Sequence, residues 1–372
     1  MTVMAYLDHN ATAPVKPEVA EAVSAALGIC GNPSSVHGAG RAVRRMVEDG
    51  REAVAALVGV KSERVIFTAG GTEANNLALR GGGRGRILAG ATEHPSVLKA
   101  ADGIETIPVH RDGRLDLDAL DTILKERSVP ALVSVMLANN ETGVIHPVAE
   151  AVEVAKRHGA LVHCDASQAP GRIVFDMVSL GTDLLTLSAH KLGGPMGAGA
   201  LVLGPGIEVE SILRGGGQER RRRAGTENVP AIAGFGVAAT LAKGDVSNAP
   251  RMARLRDLFE VRLGAEGAVA IGATVPRLPN TSCIAMPGVA SDTQVMGFDL
   301  AGFAVSAGSA CSSGKVEPSH VLAAMGVPET EARTAIRVSL GWSTTDAEVE
   351  AFIGAWIALR RRLGAHASAA AA

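Results

Sequence analysis

The 372-residue sequence has only four cysteines, Cys30, Cys164, Cys283 and Cys311, scattered along the chain. That is too few for a disulfide framework in a chain this long, and the lack of any CxxC pair argues against structural zinc. Nor is there an excess of positive charge: 36 Lys and Arg against 38 Asp and Glu leave a formal net charge of -2. Without a global positive field the chain is not suited to holding nucleic acid or an anionic membrane surface. No apolar run approaches the roughly 18 residues of a membrane-spanning helix. The opening MTVMAYLDHNATAP has none of the basic-then-apolar layout of a secretion signal, so the expected location is the cytoplasm. What the sequence does have is 47% hydrophobic residues, enough for a large core folded as two lobes around small-molecule or protein partners.

From about residue 61 to 205, short apolar runs alternate with amphipathic stretches, the pattern of parallel strands joined by crossover helices. Strands are expected at 64–69, 86–91, 131–137, 160–166, 183–188 and 199–203. Helices are expected at 40–58, where Gly50 interrupts the pattern, and at 148–158, ending at Gly159. After about residue 244 the character changes to a charged helix (251–264), shorter strands and a long helical stretch (346–363). The organisation predicted is a large domain over 13–243, and a smaller α+β domain made of 1–12 and 244–372.

In an open parallel sheet, ligands bind beyond the carboxyl ends of the strands, and here those ends are rich in polar residues. The first expected strand runs into Gly70, Gly71 and Thr72 before a helix-like TEANNLALR. Backbone N–H groups and the Thr72 hydroxyl could cup an anion there, although an ordinary capped helix start reads the same way. The following strands end in Glu93-His94, Asn139-Asn140, Asp165 with Gln168, and Ser188-Ala189-His190-Lys191. A buried lysine can form an imine with a carbonyl compound, and a carboxylate beside a pyridine nitrogen keeps that ring protonated and electron-withdrawing. Each residue alone could be a cap or a satisfied core group; together they fit pyridoxal phosphate.

Cys164, inside the apolar run ALVHCDA, reads as a core residue. Cys311 lies instead in the small-residue stretch VSAGSACSSG and reads as an accessible thiol. Arg337, in AIRVSLGW, needs a partner, which a substrate carboxylate or a structural Asp or Glu would supply. Gly215 to Gly217 followed by Glu219 and Arg220 to Arg223 reads as a mobile basic loop contacting an anion or an adjacent subunit.

The successive segments YLDHNATAP, GNPSSVHGAGR, FTAGGTEANNLAL, ATEHPSV, LANNETGV, HCDASQAPG, LSAHKLGGPMGAGAL, RAGTENVP, SAGSACSSG and IRVSLG resemble, in order and spacing, those of the cysteine desulfurases. These are class V aminotransferase-family enzymes of the nitrogen-fixation and housekeeping iron–sulfur-assembly type, and the resemblance runs from about residue 6 to 350. It implies a fold-type I pyridoxal-phosphate (PLP) transferase: an α/β fold with a mainly parallel central sheet flanked by helices, plus the smaller α+β domain carrying the cysteine loop.

By motif position, Lys191 would carry the cofactor and move protons at the substrate Cα, Asp165 would pair with the ring nitrogen, and His94 would stack on the ring and act in acid–base steps. Gln168 would bond the ring oxygen, with Asn140 between cofactor and substrate. Gly71, Thr72, Ser188 and His190 would hold the phosphate, joined by Thr226 from a neighbouring subunit of a homodimer. Arg337 would clamp the carboxylate of L-cysteine, assisted by Asn10 and Asn140. Cys311 would take the sulfur as a persulfide, leaving alanine, and pass it to an acceptor such as an iron–sulfur scaffold protein, with His94 a candidate acceptor for the thiol proton. A selenocysteine lyase or another aminotransferase-like enzyme on this fold is the alternative activity, and a catalytically silent interaction platform the alternative of another class. The resemblance assigns no role to His9 or to the Arg220 to Arg223 run.

Overall fold

The computed structural model describes residues 5–127, 129–308 and 319–370, with side chains as far as 363. In chain order its strands are β1 (Ala5–Tyr6), β2 (Val65–Thr68), β3 (Arg86–Gly90), β4 (Glu105–Ile107), β5 (Ala131–Ser134), β6 (Leu161–Asp165) and β7 (Leu184–Ser188). They continue with β8 (Gly199–Leu203), β9 (Val269–Ile271), β10 (Thr281–Ala285), β11 (Phe303–Ala304), β12 (Ser306–Ala307) and β13 (Ala335–Ser339). The six strands expected over 61–205 are all present, and β4 is an addition to them.

Seven strands form one sheet in the order β2-β8-β7-β6-β5-β3-β4. Pairing is parallel from β7 to β4 and antiparallel on both sides of β8. Two antiparallel pairings in succession return β2 to the direction of β7. The carboxyl ends of six strands therefore meet at one edge, including the turn from β2 into the helix Gly71–Gly81. Residues of β2, β3, β5, β7 and β8 are buried throughout, as expected of a sheet covered by helices on both faces.

One covering layer is the crossing of helices Gly38–Leu57 and Val229–Asp245. Gly50 does not break the first helix. A Cβ on Gly50 would lie 2.9 Å from the Ile232 carbonyl oxygen, and one on Gly236 would lie 2.7 Å from Gly50 Cα, so the glycines are what lets the two backbones touch. Gly50→Ala is expected to lower stability. Overpacking costs about 1–3 kcal/mol, more than the roughly 1 kcal/mol alanine gains over glycine in a helix. A urea-unfolding midpoint at or above wild type would refute this. The stretch Val229–Gly264 meets the length and composition of a membrane span, although charged residues interrupt its apolar run. It comprises two helices, Val229–Asp245 and Ala249–Gly264, with half of the apolar window buried.

The second sheet is antiparallel, β12-β13-β10-β9, with the fully buried Trp356 and Phe352 of the C-terminal helix on one face and Val321, Leu322 and Met325 on the other. Residues 5–13 stitch the two sheets together. Leu7 N–H donates to Ala304 O at 2.9 Å and His9 N–H to Ser339 O at 3.2 Å, whereas Ala13 N–H donates to His190 O at 2.8 Å. This strap brings Asp8 and Asn10 to the edge where the large sheet presents its polar strand ends.

Candidate active site

Between the two sheets lies a cavity of about 790 Å³. It is lined by Gly71, Thr72, His94, Asn140, Asp165, Gln168, Ser188, His190, Lys191, Asn10 and Arg337. Of the residues expected at the site from sequence, only two are not brought here: Thr226 is exposed on its loop, and Cys311 lies outside the described residues. The segment bearing Cys311 leaves and re-enters the described chain at Gly308 and Ser319, and Gly308 lines the cavity.

Lys191 stands just past β7. Its Nζ donates to the carbonyls of Asn10 at 2.6 Å and Ala11 at 2.7 Å. Burial, reinforced by the guanidiniums of Arg337 and Arg172, lowers its pKa to about 7, with Asp165 and Asp8 pulling the other way. At neutral pH a large share of the amine is therefore unprotonated and nucleophilic. Asp165 ends β6 and is held on both oxygens, Oδ1 accepting from Ser167 N–H at 2.9 Å and Oδ2 from Asn75 Nδ2 at 2.8 Å. Asn75, which the sequence reading did not single out, lies one turn beyond Thr72 on the same helix, so helical periodicity carried the signal.

His94 caps the short helix Pro95–Leu98, its Nδ1 accepting from Ser96 N–H at 3.1 Å. A backbone donor at Nδ1 places the proton of the neutral ring on Nε2. Burial, then the nearby Lys191 and His320, lowers the pKa of the ring, with Asp165 opposing. In this tautomer the free edge of His94 offers an N–H, which suits donation and disfavours the thiol-proton acceptance considered from sequence.

Gln168 receives Arg172 on its Oε1 and donates from Nε2 to Asn10 O at 3.1 Å. Arg172 thereby fixes the amide with its NH2 group as the donor. Asn10 itself is committed: its Nδ2 donates to Asn140 O at 3.1 Å and Thr281 Oγ1 at 2.9 Å, and its Oδ1 accepts from Asn280 at 3.3 Å. Its side chain tethers the strap. Arg337, in the middle of β13, meets a structural carboxylate and a backbone carbonyl. Nη2 pairs with Asp8 Oδ1 at 2.7 Å and Nη1 donates to Asn140 O at 3.2 Å, while the buried Nε has no partner among the described residues.

Other strand-end polar groups serve the scaffold. Glu93 is fully buried, bonds Met136 N–H, and is pushed well above the usual carboxylate range by burial and by Asp165. Asn139 Oδ1 accepts from Glu141 N–H and Thr142 N–H, both at 2.9 Å, building the turn that presents Asn140. His9 is buried edge-on to Tyr6 and held at about 4, chiefly by burial; it lines a separate cavity of about 60 Å³ behind Lys191. Cys164 and Cys283 are both buried, and burial pushes both thiols up.

The basic loop is largely paired within the chain. Arg222 pairs with Glu208 at 2.8 Å, Arg223 with Glu73 at 2.8 Å, and Arg220 donates to the Glu63 carbonyl. Three of the four arginines thus meet partners within the chain, and Arg221 is exposed.

The residues present fit pyridoxal phosphate. A Cβ on Gly71 would come within 3.3 Å of Ser167 Oγ and 3.4 Å of Ser188 Cβ, so the helix start is narrowed to bare backbone where a phosphate would sit. His190 Nδ1 and Asn75 Oδ1 are buried at the same edge without partners among the described residues.

A lysine amine and a carboxylate at neighbouring strand ends, above a glycine-started helix, define a class that sequence comparison identifies: the chain belongs to the aminotransferase class-V family, matched over residues 5–352. This is a family of pyridoxal-phosphate enzymes. Within it the chain groups with the cysteine desulfurases. It is 45% identical to a cysteine desulfurase of Cereibacter sphaeroides, over 93% of this chain and 92% of that one. It is 41% identical to the cysteine desulfurase IscS of Dictyoglomus turgidum, over 91% and 90% of the two chains. The X-ray structure of a NifS-like protein from Rickettsia africae superposes with a TM-score of 0.89 at 37% identity, covering 96% of this chain and 99% of that one.

Proposed function

We propose that this chain desulfurates L-cysteine with bound pyridoxal phosphate, giving alanine and a persulfide on Cys311. The observation that carries the reading is Lys191: a buried amine held near neutrality in a cavity that Arg337 also lines. Gly71, Thr72, Ser188 and His190 would hold the phosphate, Asp165 the ring nitrogen, and Gln168, locked by Arg172, would donate to the ring oxygen. When bound, the cofactor supplies a carbonyl for the lysine and the substrate amine, and an electron sink for charge developing at the substrate Cα.

The chain's own residues do the rest. Arg337, with Nε unpaired among the described residues and Asn140 beside it, would receive the substrate carboxylate. Lys191, able to gain or lose a proton near pH 7, would shuttle it at the substrate Cα. His94 would lie against the ring with Nε2–H available as a donor. Cys311, as thiolate, would attack the substrate sulfur: a sulfur–sulfur bond forms, and the carbon–sulfur bond breaks with its electron pair left on carbon, which a proton then completes as alanine. The persulfide would pass to an acceptor protein such as an iron–sulfur scaffold. The exposed Thr226 would reach the phosphate of a second copy in a homodimer.

The test is mass spectrometry after brief exposure to cysteine, with alanine measured in parallel. One added sulfur on Cys311 in the wild type and none in Cys311→Ser, with alanine release falling to background, is the expected result. Undiminished alanine and sulfur transfer by Cys311→Ser would refute the persulfide route.

A further inference from the structure

Asp8 is the charged group at the site that this reading leaves without a role. Its Oδ1 takes Arg337 Nη2 at 2.7 Å, and Ser306 Oγ donates to its Oδ2 at 2.7 Å. Ser306 stands directly across from Arg337 in the pairing of β12 with β13, so one strand pair supplies both groups that hold the carboxylate. The backbone of Asp8 is fixed as well. It bridges to Ser339, and its carbonyl accepts from Ala11 N–H at 3.0 Å and from the Tyr6 hydroxyl at 3.2 Å. Arg337 lines the large cavity, whereas Asp8 does not. The carboxylate is therefore a rigid group set against the guanidinium from outside the ligand space.

Arg337 sits among like charges. Its side chain is 5% exposed, and Asp8 is the one carboxylate that bonds it among the described residues. Burial first, and then Arg337, lowers the pKa of both Lys191 and Arg172. The Arg172 guanidinium is spent on Gln168 and on the carbonyls of His9 and Lys191, with no carboxylate partner among the described residues. The other carboxyl that feels Arg337, Glu141, is pushed up to about 7 by burial and bonds Ser319 rather than the guanidinium. A buried cation stripped of its counter-charge is strongly destabilised, and an anion that reaches it gains what the missing partner would have supplied.

We propose that Asp8 determines substrate specificity: it is a fixed counter-charge behind Arg337 that holds down the affinity of the clamp for carboxylates in general, so that a ligand is retained only when its amine engages the site as well. This rests on the reading of Arg337 as the receiver of the substrate carboxylate. With Asp8 in place the guanidinium is neutralised before any ligand arrives. An incoming carboxylate gains only the remainder of the attraction and faces a like charge across the guanidinium. A carboxylate without an amine then binds weakly, whereas an α-amino acid adds the contribution of its amine and is selected.

The experiment measures binding of propionate, the carboxylate of alanine without its amine, to the full-length holoenzyme through the rise in thermal unfolding midpoint, with propionamide as the uncharged control. Asp8→Asn keeps an acceptor oxygen for Nη2 but not the charge. It should bind propionate roughly tenfold more tightly than wild type, and propionamide should move neither protein. Adding Arg337→Gln to Asp8→Asn should abolish the gain, and a gain that survives overturns the proposal. In parallel, the cofactor absorbance change reads binding of alanine and of ethylamine. Any effect of Asp8 on Lys191 or on the ligand amine is common to both, so the preference for alanine over ethylamine should rise roughly tenfold in Asp8→Asn. Propionate affinity equal to wild type overturns the proposal. So does weaker affinity, which is what a group that merely orients Arg337 would give. If Asp8→Asn is too unstable to purify, propionate but not propionamide in the buffer should restore it, and restoration by neither overturns the proposal. None of these readouts needs turnover. If wild type yields no persulfide while the Asp8→Asn gain depends on Arg337, the desulfurase reading fails and the counter-charge stands.

Discussion

Replacing Lys191 with methionine should lower desulfuration by on the order of 10³-fold or more, since one side chain supplies both the covalent attachment and the proton shuttle. Two further readouts separate this from general damage. Borohydride reduction of the wild-type holoenzyme should fix the cofactor to Lys191, whereas the variant should retain it only non-covalently, through the helix start at Gly71 and Thr72. The cavity holds a second lysine, Lys99, which is exposed; a cofactor fixed there instead would sink the assignment.

The second readout is pH-dependent stability of the cofactor-free protein. The folded pKa of Lys191 is about 7, below the 10.5 of a free lysine. Between those values the unfolded chain binds more protons than the folded one. Stability therefore rises with pH across that window, by at most about 1.4 kcal/mol per pH unit, and is at its lowest below it. Lys191→Met lacks this gain. The wild type should gain on the variant in urea midpoint as pH goes from about 7 to 10, and parallel curves would contradict a depressed lysine.

Much of this could be read along the chain because the large sheet is built from local signals. Each strand is a short apolar run, and its polar terminus lands at the ligand edge by topology alone. The strand Glu105–Ile107 escaped because it is three residues long with only one of them buried, too short for a periodic pattern. Asp165, Lys191 and Arg337 stood out because charge in a buried strand context needs a reason. Their partners did not, because those are tertiary: Asp8 meets Arg337 across 329 residues, and Asn75 meets Asp165 across 90. Motif order marked Gln168, but not that Arg172 decides which end of its amide faces the cavity. Gly50 looked like a helix breaker only because the glycine-lined helix opposite it is 186 residues away in Gly236, and their contact exists only in the fold.

The basic loop was the least legible element, and it carries the largest stability effect. Glu219 is buried, with Oε1 and Oε2 taking Arg51 Nη2 at 2.8 Å and Nη1 at 2.6 Å, and Oε2 also accepting from Phe67 N–H at 3.0 Å. The Arg51 guanidinium in turn lies 4.9 Å from the Phe67 ring centroid. Backbone φ at Glu219, Arg220 and Arg221 is 45°, 57° and 66°. Three consecutive side-chain-bearing residues in the left-handed region cost on the order of 1 kcal/mol each and persist only where other contacts fix them. Glu219 is that fixture. Glu219→Ala should destabilise the protein by about 3 kcal/mol, the low end for breaking a buried pair, because it leaves the buried Arg51 with only the partly exposed Glu48 at 3.1 Å and releases the strained turn. Combining it with Arg51→Met removes the under-paired buried charge, so the double variant should be more stable than Glu219→Ala alone, yet still below wild type because Phe67 N–H and the turn remain unsupported. A Glu219→Ala midpoint equivalent to wild type within about 0.5 kcal/mol would show that the turn holds itself. The same loop leads through Ala224 and Gly225 to Thr226, so the pair that steadies the fold also steadies the residue proposed to reach a second copy.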